Sequence, residues 1–254
     1  MKKLIAVMLA LVLTFALVAC TGKDDPKVKS EGVMTYSEYA AAELQSEVVI
    51  EAYVQGKQSW YKDAATLYLQ DADGAYLVYN LACSQDDYNK MTVGTKLKVS
   101  GFKTEWSGEV EIDGADATFE ILEGSYIAEP MDATALLGTD ELINHQNKFV
   151  SFKGMTVEPS IDPTGKEVPF LYSWDGSGAE GTDSDLYFNV SVNGQTYNFL
   201  VEYYVCDANG AVGAEKDVYK AVQNLKIGDK IDLEGFLYWY NGVNPHITSV
   251  TAAG

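Results

Sequence analysis

An internal repeat is the feature that most constrains how this chain can fold. Residues 93–102 read Val-Gly-Thr-Lys-Leu-Lys-Val-Ser-Gly-Phe, and residues 227–236 return as Ile-Gly-Asp-Lys-Ile-Asp-Leu-Glu-Gly-Phe. A tryptophan followed by a glycine turn comes after both copies, at Trp106 and at Trp239. Self-similarity of this kind indicates one supersecondary unit used twice. The sequence therefore predicts two domains of one design, residues 32–124 and residues 125–254.

The N-terminal segment has the features of an export signal. Lys2 and Lys3 precede an almost wholly apolar run that is brief for a membrane span and ends in small residues before Cys20. Residues 1–19 are therefore predicted to be a signal peptide. The following residues, 20–31, are polar, charged and without apolar periodicity, which predicts a tether.

The tetrad Leu-Val-Ala-Cys that ends at Cys20 resembles the lipobox of bacterial lipoproteins. The resemblance implies cleavage before Cys20, a lipid on its sulfur, and a location on the cell membrane facing outside the cytoplasm. An ordinary signal peptide or an uncleaved anchor with an accidental cysteine is the alternative. Which membrane or leaflet would hold the lipid is left open.

Each predicted domain has the same order of elements. β-Branched and aromatic runs bounded by turn residues predict strands, and a helical pattern falls between the third and fourth strand of each unit. Three strands, a helix and two further strands is the order of the OB-fold, a five-stranded Greek-key barrel. The strands are predicted at residues 47–54, 65–70, 75–81, 96–102 and from 110 onward, and again at 149–157, 185–190, 196–201, 231–237 and 246–250.

The repeated motifs, residues 93–97 with 101–102 and residues 227–231 with 235–236, resemble those of bacterial lipoproteins with tandem OB-fold domains that are described as nucleic-acid-binding-like. The resemblance covers most of residues 35–250. It implies an all-β fold with short helices, in which two tandem five-stranded OB-fold-like barrels follow a signal peptide. This fold accepts oligonucleotide, oligosaccharide and protein ligands, so it does not identify the ligand.

The charge of the chain bears on the kind of partner. Acidic residues number 37 against 18 basic ones, giving a net charge of −19, and every basic residue is lysine. A chain without arginine lacks the bidentate donor that grips phosphate, and its negative charge repels a phosphate backbone. Composition therefore argues against nucleic acid as a partner.

Aromatic residues mark the candidate ligand site. An OB-fold binds ligands on the face of its second and third strands, between the loop joining strands one and two and the loop joining strands four and five. The predicted elements place all four tryptophans in or beside these loops, where they either stack on a ligand or cap the open barrel ends. The candidate ligand-binding residues are Trp60, Tyr61, Trp106, Tyr172, Trp174, Tyr238, Trp239 and Tyr240.

The sequence offers no catalytic or metal-binding pattern. Phosphate-binding loops and nucleophile elbows are absent, and neither His145 nor His246 has the spacing of a metal ligand. The acidic loop at residues 159–184 matches no EF-hand pattern, and whether it binds calcium stays open. Cys83 and Cys206 are predicted to be either two buried thiols or one disulfide. We therefore predict no catalytic residue, no metal and no cofactor.

The function predicted from these observations is that of a non-catalytic, surface-anchored lipoprotein. The membrane is its first partner, through Cys20, and its OB-fold loops bind an extracellular glycan or protein. Two alternatives stay open: an oligonucleotide-binding lipoprotein, and a structural or scaffold component of a surface complex. The sequence does not indicate the oligomeric state.

Overall fold

The computed structural model describes residues 25–254. The predicted signal peptide and Cys20 lie outside the described residues. No helix in the described part of the chain is both long enough and apolar enough to cross a membrane.

The first half of the described chain forms a closed barrel. Helix α1 begins with a capping box, in which Thr35 and Glu38 each bond the other's backbone N–H. The strands join in the order β1-β2-β3-β5-β4, and the β3–β5 pairing is parallel. The elements are α1 (Tyr36–Ala41), β1 (Glu47–Lys57), β2 (Ala64–Gln70), β3 (Ala75–Ala82), α2 (Gln85–Lys90), β4 (Thr95–Trp106) and β5 (Glu109–Ser125).

The second half repeats this barrel with short additions. Strands β7, β11, β12, β14 and β13 close in the same order, and the β12–β14 pairing is again parallel. The strands are β6 (Met131–Asp132), β7 (Phe149–Glu158), β8 (Ser160–Ile161), β9 (Glu167–Val168), β10 (Leu171–Tyr172), β11 (Leu186–Val192), β12 (Gln195–Val201), β13 (Lys230–Phe236) and β14 (His246–Ala252), and helix α3 (Asp217–Gln223) precedes β13. Short 3-10 turns cover Thr134–Leu136, Leu142–His145 and Gly213–Glu215.

The predicted fold class is confirmed, because the structure consists of two closed five-stranded barrels with short helices. The repeated glycines explain part of the shared motif. A Cβ at Gly101 would lie 2.7 Å from Cγ2 of Ile112, and one at Gly235 would lie 2.3 Å from the carbonyl oxygen of His246. Both glycines therefore allow the last strand of their barrel to lie close to the strand that contains the glycine, at the point where the register between the two strands shifts.

The structure adds local detail to the sequence prediction in three places. The last strand of barrel 1 is one continuous element, β5. The helical segment between the third and fourth strands of barrel 2 is divided by Lys216 into a 3-10 turn and α3. The predicted loop at 159–184 contains the short strands β8, β9 and β10.

Part of the predicted tether is anchored to barrel 1. The ammonium of Lys29 donates to the carboxylate of Asp71 at 2.5 Å and to the carbonyl oxygen of Glu51 at 2.5 Å. Asp71 is fully buried and accepts a further bond from the hydroxyl of Tyr76. Because a buried carboxylate needs such partners, Lys29 is a component of the folded domain although it belongs to the polar N-terminal segment.

Candidate functional site

Barrel 2 covers the outward face of strands β2 and β3 of barrel 1. Tyr68 points outward from β2, and its ring stacks on that of Phe236 in β13 with centroids 4.2 Å apart. The hydroxyl of Tyr68 lies 2.6 Å from Nδ1 of His246 in β14. Leu77 and Val205 complete this buried cluster. The surface on which an OB-fold commonly binds its ligand is therefore the interface between the two barrels.

Barrel 2 also engages both ligand loops of barrel 1. In the loop between β1 and β2, the amide of Ser59 donates to the carbonyl of Tyr204 at 2.8 Å. In the turn between β4 and β5, the carbonyl of Ser107 accepts from the amide of Asn241 at 2.7 Å, and the carbonyl of Gly108 accepts from the Gln146 side chain at 2.6 Å. These bonds hold both ends of the covered face.

A buried carboxyl group lies at one end of this interface. Glu109 is fully buried, and its Oε2 accepts the backbone N–H of Trp239 at 2.8 Å. Burial raises the pKa of Glu109 to about 8. Glu111 follows it on β5, and burial, together with the charge of Asp113, raises the pKa of Glu111 to about 7. The interface is therefore built around carboxyl groups that favour the protonated form.

The corresponding face of barrel 2 is partly exposed: Thr196 and Asn198 are exposed, Tyr187, Asn189 and Ser191 are half-buried, and Leu200 is buried. Alternation along β11 and β12 turns Phe188 and Phe199 into the core and turns polar side chains outward. The amide of Asn198 donates to Oδ1 of Asn189 at 2.9 Å, and the amide of Asn189 donates to the carbonyl of Pro159 at 3.0 Å. The outward residues are Tyr187, Asn189 and Ser191 on β11, and Thr196 and Asn198 on β12.

The eight aromatic candidates fall into two groups. Four are exposed, at 67% for Tyr61, 62% for Trp106, 75% for Trp174 and 53% for Tyr240. Trp174 and Tyr240 belong to the two loops of barrel 2 that flank its open face. The structure thus keeps them beside an available surface.

The other four take part in packing. Trp60 lies against the core of barrel 1, and its indole N–H donates to the carbonyl of Cys83 at 3.1 Å. Trp239 packs against the core of barrel 2 and beside Gly108. Tyr238 stacks on His246 with centroids 4.3 Å apart, and the hydroxyl of Tyr172 accepts from the Gln223 side chain. The observed contacts of these four residues are those expected of aromatic side chains that cap a barrel end rather than stack on a ligand.

Sequence reasoning missed the outward residues of β11 and β12 as candidates. The alternation of Asn189, Ser191, Thr196 and Asn198 with buried aromatics was a usable signal, because period-two polarity marks the solvent face of a strand. Among residues 25–254, no three His, Cys, Asp or Glu side chains lie close enough together to hold a metal ion. Cys83 and Cys206 are both free thiols; Cys83 is buried, as the two-thiol alternative has it, and Cys206 is half-buried.

No protein-family model matches the sequence, and no curated protein matches it. Several solved structures are similar to the chain at low sequence identity. A murine DNA binding protein bound with ds DNA is 10% identical, covers 81% of this chain and 96% of its own, and has a TM-score of 0.36. The Ifi202 HINa domain in complex with 20bp dsDNA is 12% identical with a TM-score of 0.35, covering 82% of this chain and 99% of its own. A deletion mutant of the single-stranded DNA binding protein from Thermus aquaticus is 12% identical with a TM-score of 0.25, covering 82% and 94%.

The sequence-based argument against nucleic acid as a partner is at odds with these similar solved structures, which are DNA complexes and a single-stranded DNA binding protein. Net charge describes the whole surface, whereas a ligand meets one face of one barrel, so the charge of −19 does not exclude this ligand class.

Replacing Glu109 with Gln is expected to remove a pH dependence of stability. The folded-state pKa of about 8 lies above the ordinary value of 4.5, so between these values the folded protein keeps a proton that the unfolded chain has released. The stabilisation is complete below pH 4.5 and is lost as the pH rises towards 8. Gln preserves the neutral shape and the acceptor for Trp239. Calorimetry should give Glu109→Gln the Tm of the wild type near about pH 5 and a higher Tm near about pH 9.

The control is Glu120→Gln, which alters an exposed carboxylate on the same strand. Its pH profile should follow that of the wild type. If Glu109→Gln also follows the wild type across the whole range, Glu109 is ionised in the folded protein and this account of the interface is wrong.

Proposed function

We propose that the protein is a non-catalytic binding protein that holds a single-stranded oligonucleotide on the β11–β12 face of barrel 2. The observation that carries the proposal is the asymmetry between the barrels: the β2–β3 face is buried, and the equivalent face of barrel 2 is largely polar and is exposed at Thr196 and Asn198. OB-folds use this face for oligonucleotides. Because the equivalent face of barrel 1 is buried, we expect one ligand site per chain.

The chemistry of the face suits bases rather than phosphates. The exposed amide of Asn198 and the hydroxyl of Thr196 offer donors and acceptors to base edges, and Tyr187 offers a flat ring. Trp174 and Tyr240 lie in the flanking loops, where aromatic side chains serve as stacking platforms. None of the outward residues on β11 and β12 is cationic. The phosphates of the bound strand therefore face solvent, with their charge screened by dissolved cations.

Binding of a labelled oligothymidylate, followed by fluorescence anisotropy, tests the proposal. Trp174→Ala should weaken binding by about fivefold or more, the lower end of the roughly 1–3 kcal/mol expected for a stacked base. Asn198→Ala should also weaken it. The matched control is Trp106→Ala, which removes an equally exposed tryptophan from barrel 1 and should leave the affinity unchanged.

The dependence on salt adds a second, independent readout. Because the chain carries a net charge of −19, moderate salt or Mg²⁺ should strengthen binding by screening repulsion. A basic groove behaves the other way, since its affinity falls steeply with salt. Absence of binding under all conditions, or equal losses in Trp106→Ala and Trp174→Ala, would contradict the proposal.

A neutral glycan is the second candidate for the same face. The specific observation in its favour is the combination of paired amides with an exposed tryptophan and no cation, which also suits sugar hydroxyls and the apolar side of a sugar ring. This candidate would be favoured if the protein binds a glycan but no oligonucleotide, and if Trp174→Ala loses the glycan binding.

We also propose that Cys20 carries a lipid that anchors the protein outside the cytoplasm. The support is the lipobox at residues 17–20, which closes an apolar segment. A fatty-acid probe supplied to producing cells should label the wild type and fail to label Cys20→Ala. Equal labelling of both forms would show that Cys20 is not the attachment site.

A further inference from the structure

A cavity of about 570 Å³ lies between the two barrels and is separate from the β11–β12 face. Strand β1, helix α2 and the segment that links the barrels form one wall, and strands β7 and β13 with residues 206–210 form the other. Sites for small molecules are commonly concave spaces of about 300–1,000 Å³ at such domain boundaries. The cavity therefore has the size and the position of a ligand site.

The ammonium group of Lys57 belongs to this cavity and has no counter-ion. Its Nζ donates to the carbonyl oxygen of Tyr88 at 2.8 Å and lies 3.6 Å from the centroid of the Tyr88 ring. No ion pair joins it to a carboxylate of residues 25–254. An ammonium has three N–H donors, so at least one donor of Lys57 is left for a ligand.

Two other lysines that are removed from solvent have the partners that Lys57 lacks. Lys29 pairs with the buried carboxylate of Asp71, and the ammonium of Lys103 donates to three backbone carbonyls. Burial lowers the pKa of Lys57, because a charge that is partly removed from water is destabilised when no opposite charge compensates it. An anion bound in the cavity would provide that compensation.

Accessible apolar side chains define the rest of the ligand. Val93 and Ile127 line the cavity and are 42% and 63% exposed, and the half-buried ring of Phe149 lines it as well. Covering such surface with an apolar group removes it from water and is favourable. The ligand that matches both features has one negative charge and an apolar body.

One carboxylate, that of Asp207, lines the cavity from the barrel 2 side. Its Oδ1 accepts the backbone N–H groups of Asn209 and Ala211 at 2.8 and 2.9 Å, so it serves the turn to which it belongs. It makes no ion pair with Lys57 and does not replace the missing counter-ion. Its charge opposes an anionic ligand, which gives the site a contact whose removal should strengthen binding.

We propose that this cavity binds a small monocarboxylate with an apolar body. The carboxylate accepts a hydrogen bond from the ammonium of Lys57, and such charge-assisted bonds are stronger than neutral ones. The apolar body lies against Val93, Ile127 and Phe149. The site is independent of the oligonucleotide proposal.

Four compounds test the proposal by calorimetric titration of the protein. Hexanoate has both the charge and the apolar chain, and it should bind at about millimolar concentrations or below. Hexanamide has the same shape without the charge and should bind several-fold more weakly, and hexylammonium has the opposite charge and should not bind measurably. Acetate lacks the chain and should bind about tenfold more weakly or less. Absence of hexanoate binding, or equal affinity for hexanoate and either hexanamide or acetate, would overturn the proposal.

A first variant tests the role of Lys57. Lys57→Met keeps an unbranched side chain and removes the charge, so it should reduce the affinity for hexanoate to that for hexanamide and leave hexanamide binding unchanged. The matched control is Lys62→Met, which removes an exposed ammonium from the loop between β1 and β2 and should leave the affinity for both compounds unchanged. Equal losses in the two variants would reduce the effect of Lys57 to one of net charge and contradict the proposal.

A second variant supplies the opposite sign. Asp207→Asn keeps Oδ1 as the acceptor for the turn and removes the negative charge that opposes the ligand. It should strengthen hexanoate binding by about two- to fivefold and leave hexanamide binding unchanged. Unchanged or weaker binding of hexanoate to Asp207→Asn would show that the carboxylate does not bind beside this wall.

The thiol of Cys206 gives a readout that needs no substitution, because it is half-buried and lines the same cavity. Saturating hexanoate should slow the alkylation of Cys206 by iodoacetamide about threefold or more, as followed by mass spectrometry. Hexylammonium should not slow it, and Lys57→Met should lose the protection. If hexanoate binds but leaves the alkylation of Cys206 unchanged, the ligand does not occupy this cavity and the proposal fails.

Discussion

The stacking of Tyr68 on Phe236 is the contact on which the arrangement of the molecule depends. It buries the face that an OB-fold ordinarily presents to a ligand, and the neighbouring bond between Tyr68 and His246 fixes the two barrels in register. Once barrel 2 covers that face, both ligand loops of barrel 1 become structural and their backbone groups pair across the interface. The duplicated fold therefore leaves one β2–β3-type face uncovered, that of barrel 2, rather than two.

Burial shifts the pKa values of several titratable groups at the interface towards their neutral form. Burial raises the pKa of Glu109 to about 8 and that of Glu202 to about 7, and burial lowers the pKa of His246 to about 3. Lys216 is buried too, with a pKa lowered to about 8, and it donates to the carbonyls of Glu202 and Val205. Burial thus favours the neutral form of Glu109 and His246, whereas the buried carboxylate of Asp71 is paired with Lys29.

The fold was predictable from the sequence because the repeat at residues 93–102 and 227–236 encodes a local unit, whose glycines and alternating apolar residues specify one barrel each. The site was less predictable because its availability depends on packing between units. Nothing local distinguishes Trp60, which packs on a core, from Trp106, which is exposed. Strand alternation predicts that the amides of Asn189 and Asn198 point outward. They become the candidate site only because barrel 2 covers the equivalent face on β2 and β3. Net charge does not describe that one face for the same reason, because it is a property of the whole chain.

The central claim is that barrel 2 covers the β2–β3 face in solution. Leu77 of barrel 1 and Val205 of barrel 2 belong to one buried cluster, so their methyl groups report directly on the contact. A methyl nuclear Overhauser experiment on the isotope-labelled protein should show cross-peaks between Leu77 and Val205, and between both residues and the ring of Phe236. Absence of these cross-peaks, with those inside each barrel intact, would show that the barrels are separate and that the face of barrel 1 is open to ligands.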